Sequence, residues 1–297
     1  MDSKKLDIAR NRKGFIAALD QSGGSTPKAL RLYGIDEDKY SSEDEMFKLV
    51  HEMRTRIIKA PSFNKDHILG AILFEQTIDR EIDGMKTADY LWNKLEILPF
   101  VKVDQGLADL DNGVQLMKEM TKLDSLLERA KERGIFGTKM RSVIKEFDCV
   151  GIKEVVKQQF DYAKKIIAKG FVPIIEPEVD IHAEYKGEIE KILLNELKEN
   201  IEKLAKDDFI MLKLTLPEED NLYLPLYDYE NVLRIVALSG GYSREESNER
   251  LGRNHRVVAS FSRALTEGAK ASMTDEEFNK HMEESINSIY KLSLIHI

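Results

Sequence analysis

One lysine in an apolar stretch has the setting of a nucleophile toward a carbonyl compound. Lys213 lies in the run 209–215, where alternation places it on the same strand face as Phe209, Met211 and Thr215. Apolar surroundings strip water from an ammonium group and favour the neutral amine, which can form a Schiff base with a ketone or aldehyde. The alternative is a structural lysine at a strand end whose ammonium group reaches water. This run alone does not decide between them.

Two other apolar runs end in paired charges that could move protons. Lys139 and Arg141 are two residues apart, as are Glu176 and Glu178, so each pair projects from one face of its strand. Structural salt bridges at solvated strand ends would explain one such pair. Polar residues nevertheless end nearly every run, the others being Asp20, Glu75, Lys102, Asp104, Ser239 and Ser260. This recurrence predicts a single functional site at that end of the strands.

Two loops near the C-terminus have the composition of an anion site. Ser239, Gly240 and Gly241 follow one run and are expected to open a helix, while Ser260 and Arg263 precede another. Glycine lets backbone N–H groups approach an anion, and a helix N-terminus favours negative charge. A serine and two glycines alone are more typical of a turn. With an arginine after the next run, the pattern favours a phosphate site.

Residues 20–28 resemble the start of a helix and allow a second phosphate hypothesis. Ser25 is a natural N-cap, and Pro27 suits the first helical turn. The start of a helix therefore accounts for this segment without any ligand. A second phosphate near 22–28 remains a hypothesis.

Eight apolar runs alternate with amphipathic segments and predict the fold. The runs are 14–20, 67–75, 98–104, 135–141, 172–178, 209–215, 232–239 and 256–261. Helical periodicity is clearest in 153–169, 184–206, 243–253 and 274–292. Strands rich in Val, Ile, Leu and Phe that alternate with helices indicate a parallel sheet, and eight units in 297 residues favour a (β/α)8 TIM barrel. A doubly wound sheet is the alternative, although it would be expected to carry an early glycine fingerprint.

Length and composition limit the number of domains and the kinds of partner that the protein is expected to bind. The chain of 297 residues is expected to be one domain, 1–297, because no linker or low-complexity tract divides it. A formal charge of −8 argues against nucleic acid, and no apolar run is long enough for a membrane span. The polar N-terminus and the single cysteine, Cys149, favour a cytoplasmic protein. Six scattered histidines lack metal-ligand spacing, so we expect no metal and no cofactor.

The ordered motifs resemble the class I fructose-1,6-bisphosphate aldolases, in particular their short bacterial branch. The resemblance spans residues 14 to 264 and rests on seven matches: 14–20 with Ser25, Lys102 with Asp104, Lys139 with Arg141, Glu176-Pro177-Glu178, Leu212-Lys213, 238–241 with Ser243, and 260–264. It implies a metal-independent lyase of glycolysis and gluconeogenesis. The implied reaction converts fructose 1,6-bisphosphate reversibly to glycerone phosphate and glyceraldehyde 3-phosphate.

The resemblance also implies roles for individual residues. Lys213 would be the Schiff-base nucleophile and Glu176 its general acid and base, while Asp20 would take the proton of the C4 hydroxyl. Lys139 and Glu178 would complete this acid–base cluster. Ser239, Gly240 and Arg263 would hold the C1 phosphate, and Ser25 and Lys102 would lie near the C6 phosphate. Gly241, Ser260 and Arg141 would be further substrate-binding residues.

Departures from the family pattern and rival functions leave alternatives open. Ala29 stands where better-known members carry an arginine near the C6 phosphate, and the chain lacks their terminal tyrosine. A Schiff-base aldolase for tagatose or sedoheptulose bisphosphate is the nearest rival, since these sugars share C1 and C2 with fructose bisphosphate. A non-catalytic sugar-phosphate-binding barrel is a rival from another class. A homo-oligomer is compatible with each of these three functions.

Overall fold

Parallel strands surround the centre of the molecule in the computed structural model. The structure describes residues 2–22, 25–261 and 263–293, and at residues 263 and 264 it describes the backbone alone. In that part of the chain, eight strands lie side by side in chain order: β1 (Phe15–Leu19), β2 (Ile68–Leu73), β3 (Leu98–Lys102), β4 (Gly137–Ile144), β5 (Val172–Val179), β6 (Ile210–Thr215), β7 (Val232–Leu238) and β8 (Val257–Ala259). All neighbouring pairs are parallel. β8 lies beside β1, so the sheet curves into a nearly closed barrel. The predicted (β/α)8 barrel is confirmed.

Helices fill most connections between the strands. The longer ones are α1 (Ser3–Asn11), α2 (Ser25–Tyr33), α3 (Glu43–Lys59), α4 (Leu123–Glu132), α5 (Cys149–Ala168), α6 (Lys186–Ile201), α7 (Arg244–Gly252) and α8 (Asp275–Ser293). The four predicted helical stretches correspond to α5, α6, α7 and α8. The β6–β7 connection departs from the expected alternation, because its helical part is the 3-10 helix Leu224–Asp228. A short hairpin, Glu81–Ile82 with Met85–Lys86, and the strand Val114–Gln115 were not predicted.

The long helices bury one face against the outside of the barrel. In α5 the buried residues Ile152, Val155, Val156 and Phe160 recur every three or four positions, which is the spacing of an amphipathic helix. Among the described residues, no helix combines the length and the apolar character that crossing a membrane requires.

The lower half of the barrel interior is an apolar core. It contains Ile16, Ile72, Phe100, Ile174, Met211, Val236 and Val258, which come from seven different strands. Helix α1 packs its Ile8 and Ala9 against this cluster and covers the end of the barrel from which the strands begin. The buried guanidinium of Arg234 on β7 holds α1 there, since it donates to the carbonyl oxygens of Ala9, Arg10 and Arg12 at 3.1, 2.7 and 3.0 Å.

A charged layer lies directly above this core because strand residues alternate between the two faces of the sheet. Two residues beyond Phe100, Ile174 and Met211 come Lys102, Glu176 and Lys213. The apolar layer below them excludes water from one side of the charged layer. The strand periodicity therefore carries the charged residues to the carboxyl end of the barrel, where catalytic groups of this fold gather.

Candidate active site

A cavity of about 480 Å³ opens at the carboxyl end of the barrel. This volume lies within the range of small-ligand sites. The predicted site residues that line the cavity are Asp20, Ser25, Lys102, Lys139, Arg141, Glu176, Glu178, Lys213, Ser239, Gly240, Gly241 and Ser260. Arg263 is the exception, because its side chain lies outside the described residues. The fold thus brings together positions separated by up to 240 residues.

Four charged groups of alternating sign form a chain across the floor of the cavity. The Lys213 ammonium nitrogen Nζ lies 3.0 Å from Glu176 Oε1, and the other oxygen of Glu176 lies 3.1 Å from Lys139 Nζ. Lys139 Nζ also contacts Asp20 Oδ2 at 2.7 Å. Lys139, Glu176 and Lys213 are each at most 5% exposed. The four groups therefore form an unbroken line of ionic contacts between opposite charges.

The two carboxyl groups of this chain are held in their ionised form. Burial alone would raise the pKa of Asp20, but the positive charges of Lys139 and Lys213 outweigh it and bring this pKa below its ordinary value. Glu176 behaves in the same way, since burial is outweighed by Lys139, Lys213 and Arg141 and its pKa is lowered. Both are therefore ionised at neutral pH and present only acceptor oxygens to a ligand.

Lys139 owes its charge to the carboxylates on either side of it. Burial would lower its pKa, yet Asp20, Glu176 and Asp104 together raise this pKa above the ordinary lysine value. Lys139 therefore stays protonated throughout the physiological range. It serves as the fixed positive charge between the two carboxylates.

Glu178 and Lys102 each have a partner of opposite charge at the rim of the cavity. Glu178 accepts a hydrogen bond from Arg141 Nε at 2.6 Å, and this contact outweighs burial to raise the pKa of Arg141. Lys102 Nζ donates to the backbone oxygen of Asp104 at 2.9 Å and contacts its carboxylate. The second carboxylate oxygen of Asp104, Oδ2, is buried and has no hydrogen-bond partner in the part of the chain that the structure describes. This oxygen is free to accept a hydrogen bond from a ligand.

The glycine loop after β7 lines the cavity but is not part of a helix. Gly240 and Gly241 have φ values of +60° and +126°, and a Cβ on Gly240 would lie 2.8 Å from Cγ2 of Ile181. Both conformation and space therefore require glycine at 240. The expectation that 239–241 open a helix is wrong, because α7 begins at Arg244 with Ser243 as its N-cap.

Two serines line the cavity at opposite ends of the chain. Ser260 is 2% exposed and its Oγ has no hydrogen-bond partner among the described residues, so this hydroxyl can bond a ligand. Ser25 is the first residue of α2, and its Oγ accepts from the backbone N–H of Ser22 and donates to the carbonyl oxygen of Ser22. Ser25 therefore stabilises the turn that leads from Asp20 into α2.

Further residues at the cavity were missed from the sequence. Gln21, Gly106 and Leu107 line it from the loops that follow β1 and β3, beside Ser22 of the segment 22–28. Behind them, the guanidinium of Arg54 donates to the carbonyl oxygen of Gln21 at 2.6 Å, and burial lowers the pKa of this arginine to about 10. Arg54 lies within the amphipathic helix α3, where an arginine normally lies on the solvated face. The sequence therefore gave no indication that Arg54 is buried behind the cavity. No group of three or more metal-ligand side chains occurs among the described residues.

Comparison with known proteins agrees with the barrel fold. The family model described as fructose-bisphosphate aldolase class-I matches residues 3–220, which is most of the chain. A solved structure of fructose-bisphosphate aldolase from Plasmodium falciparum, in complex with TRAP and a small-molecule inhibitor, is similar with a TM-score of 0.73. That similarity covers 98% of this chain and 93% of the other at 20% identity, which establishes a shared fold.

Proposed function

The chain belongs to the class I fructose-bisphosphate aldolase family, and on this premise we propose that it cleaves fructose 1,6-bisphosphate reversibly through a Schiff base on Lys213. The products are glycerone phosphate and glyceraldehyde 3-phosphate, and the pathway context is cytoplasmic glycolysis and gluconeogenesis. The observation that supports the proposal most directly is the 3.0 Å contact between Lys213 Nζ and Glu176 Oε1 inside the chain of four charges.

Formation of the imine begins with a proton transfer between these two groups. Lys213 passes a proton to Glu176, and the resulting amine attacks C2 of the ketose. Glu176 then returns the proton to the oxygen of the carbinolamine, which leaves as water. Overall, one ammonium group and one ketone become one protonated imine and one water molecule. Glu176 acts as base and then as acid, which a carboxylate in contact with the nucleophile can do.

Cleavage requires a base for the C4 hydroxyl group. Asp20 accepts that proton while the C3–C4 bond breaks, and the electron pair of this bond moves into the protonated imine to form an enamine. The aldehyde leaves, and protonation of the enamine at C3 followed by hydrolysis releases glycerone phosphate and regenerates Lys213. Lys139, 2.7 Å from Asp20, keeps this carboxylate ionised until the proton arrives.

Phosphate binding must draw on more than the lysines and arginines of the cavity wall. Among the described residues, four basic side chains and four acidic side chains line the cavity, and these charges balance. The bisphosphate therefore needs additional donors: the backbone N–H groups at Gly240 and Gly241, the hydroxyls of Ser239 and Ser260, and the guanidinium of Arg263. Ser25, Lys102 and Arg141 complete the proposed contacts at the other end of the cavity.

Borohydride trapping tests the nucleophile. Purified protein is mixed with glycerone phosphate and borohydride, and the modified peptide is identified by mass spectrometry. We expect the reduced adduct on Lys213, and loss of both adduct and cleavage in Lys213→Ala. Lys186→Ala is the matched control, because Lys186 is another lysine that is 5% exposed but lies outside the cavity. An adduct on a different lysine, or cleavage by Lys213→Ala, would refute the mechanism.

A second measurement tests the substrate. Values of kcat/KM for fructose, tagatose and sedoheptulose bisphosphates are compared with the same enzyme preparation. We expect the highest value for fructose 1,6-bisphosphate. A higher value for either rival sugar would retain the Schiff base and correct the substrate. Binding of glycerone phosphate without any trapped adduct would instead indicate a sugar-phosphate-binding protein.

A further inference from the structure

A fully buried glutamine on helix α5 contacts the backbone of Glu176. Gln159 is 0% exposed and lies on the helix face that also buries Val155, Val156 and Phe160. An amide side chain is costly to bury among apolar groups unless both of its ends form hydrogen bonds. Its position therefore depends on what its two ends contact.

Both ends of the amide are bonded, and they reach two neighbouring strands. Gln159 Oε1 accepts a hydrogen bond from the backbone N–H of Glu176 on β5 at 2.9 Å. Gln159 Nε2 donates to Ser142 Oγ on β4 at 3.1 Å. In the β4–β5 register Ser142 is opposite Pro177, the residue after Glu176. The side chain thus bridges the two strands at the level of the cavity.

The backbone ladder on the β4 side of β5 continues past Glu176, whereas the ladder on the β6 side stops before it. Pairing between β5 and β6 occurs at Ile174 and Ile175 and does not include Glu176. Pro177 has no N–H group to donate. A strand in the middle of a sheet is normally held on both sides by backbone ladders, so a side chain that bonds the N–H of Glu176 replaces part of that support.

We propose that Gln159 is a positioning residue that sets the location of the Glu176 carboxylate relative to Lys213. This inference rests on the proposed function, in which Glu176 exchanges a proton with Lys213 across 3.0 Å. Within the described part of the chain, Glu176 Oε2 is buried without a hydrogen bond, and it forms an ion pair with Lys139 at 3.1 Å. The carboxylate is thus held at its tip by two lysines and at its base by the backbone of β5, which Gln159 bonds at Glu176.

Gln159→Leu tests the inference, and the adjacent glutamine provides a matched control. Gln158, on the same helix, also makes two hydrogen bonds, in which its Oε1 and Nε2 contact the backbone N–H and carbonyl of Met117 at 2.9 Å each. Gln158→Leu therefore removes the same chemistry from the same helix without touching Glu176. Thermal unfolding of both variants measures the structural loss that they share.

We expect Gln159→Leu to lower kcat about tenfold to a hundredfold, as small misplacements of catalytic groups do. KM should stay within about threefold, because Gln159 bonds Glu176 and Ser142, neither of which is assigned to phosphate binding. The rate of adduct formation on Lys213 should fall in parallel with kcat. Gln158→Leu should keep the wild-type kcat even if its melting temperature falls as much as that of Gln159→Leu.

Gln159→Glu is the conservative variant, and it keeps the test decisive if Gln159→Leu does not fold. Burial raises the pKa of a carboxyl group, so the new side chain is a neutral acid that can still accept from Glu176 and donate to Ser142. We expect its kcat to recover to within about threefold of wild type at neutral pH and to fall as the pH rises and this acid ionises.

The outcomes separate this inference from the proposed function. If wild-type protein neither cleaves the sugar nor forms an adduct on Lys213, the proposed function fails. If wild type does both and Gln159→Leu matches Gln158→Leu in kcat, only the role of Gln159 is refuted. The role would also be refuted if the kcat of Gln159→Glu did not exceed that of Gln159→Leu. If Gln159→Leu does not fold, a kcat of Gln159→Glu more than threefold below wild type would refute it.

Discussion

Replacing Lys139 by methionine should leave one excess negative charge in the candidate site and raise the pKa values of the carboxyl groups beside it. The substitution keeps the length of the side chain and removes its charge. At the observed separations of 2.7 and 3.1 Å from Asp20 and Glu176, each attraction amounts to about 5–6 kcal/mol at an effective dielectric constant near 20. Because the desolvation of the ammonium group is also removed, the net loss of folding free energy is smaller, about 3–5 kcal/mol.

The sign of the pH dependence follows from the carboxyl groups. In the wild-type protein the pKa values of Asp20 and Glu176 are lowered, so their contribution to stability is present above their ordinary pKa values and is lost as the pH falls through the lowered ones. Without Lys139, burial dominates and both pKa values should rise. A group with a raised pKa stabilises the folded protein at low pH and loses that contribution as the pH increases.

Melting temperature and kcat are therefore measured from pH 5 to 9 for Lys139→Met and for the control Lys186→Met. We expect Lys139→Met to melt at progressively lower temperature as the pH rises, and the acid limb of its kcat profile to move to higher pH. Lys186→Met breaks another buried lysine pair, with Glu190 at 2.5 Å, and should lose stability with a wild-type kcat profile. Identical pH profiles for Lys139→Met and wild type would refute the assigned charge balance.

Three other predictions address different parts of the molecule. Ser260→Ala should leave the melting temperature within about 2 °C, because the buried hydroxyl has no partner to lose, and should raise KM about tenfold or less; an unchanged KM would exclude this hydroxyl from substrate binding. Arg234→Met should lower stability by about 2–4 kcal/mol in urea unfolding with kcat/KM unchanged, because two carbonyl groups of α1 and that of the following Arg12 lose their donor; equal urea midpoints would show that α1 is held by other contacts. A chelator should leave the cleavage rate unchanged, since the proposed imine acts as the electron sink; inhibition that zinc reverses would contradict this.

The strands were predictable because their determinants are local. A run of Val, Ile, Leu and Phe that ends in charged residues is a property of a few neighbouring positions, and the strict period of two assigns each side chain to a face. The glutamates 176 and 178 and the lysine at 213 could therefore be assigned to one end of the barrel before any contact was known. Their pairing was not predictable, because the distance from Lys139 to Asp20 depends on how β1 and β4 lie across the barrel.

The long-range supports were beyond the reach of local patterns. Gln159 and Arg54 lie in helices whose periodicity assigns them to a buried or exposed face but says nothing about a partner on a distant strand. The placement of α1 beneath the barrel likewise depends on Arg234, more than 220 residues away. Each of these contacts exists only because buried polar groups must find a partner somewhere in the assembled molecule.

The sequence by itself determined the eight strands, their order, the face on which each charged residue lies and the family to which the motifs point. These follow from local propensity and from a two-residue repeat. Tertiary structure alone decided which charges touch, namely Lys139 between Asp20 and Glu176 and Lys213 against Glu176, because closing the barrel fixes distances between strands. The reason is physical: alternation sets the direction of a side chain, whereas ionisation depends on the charges and solvent within a few ångströms of it.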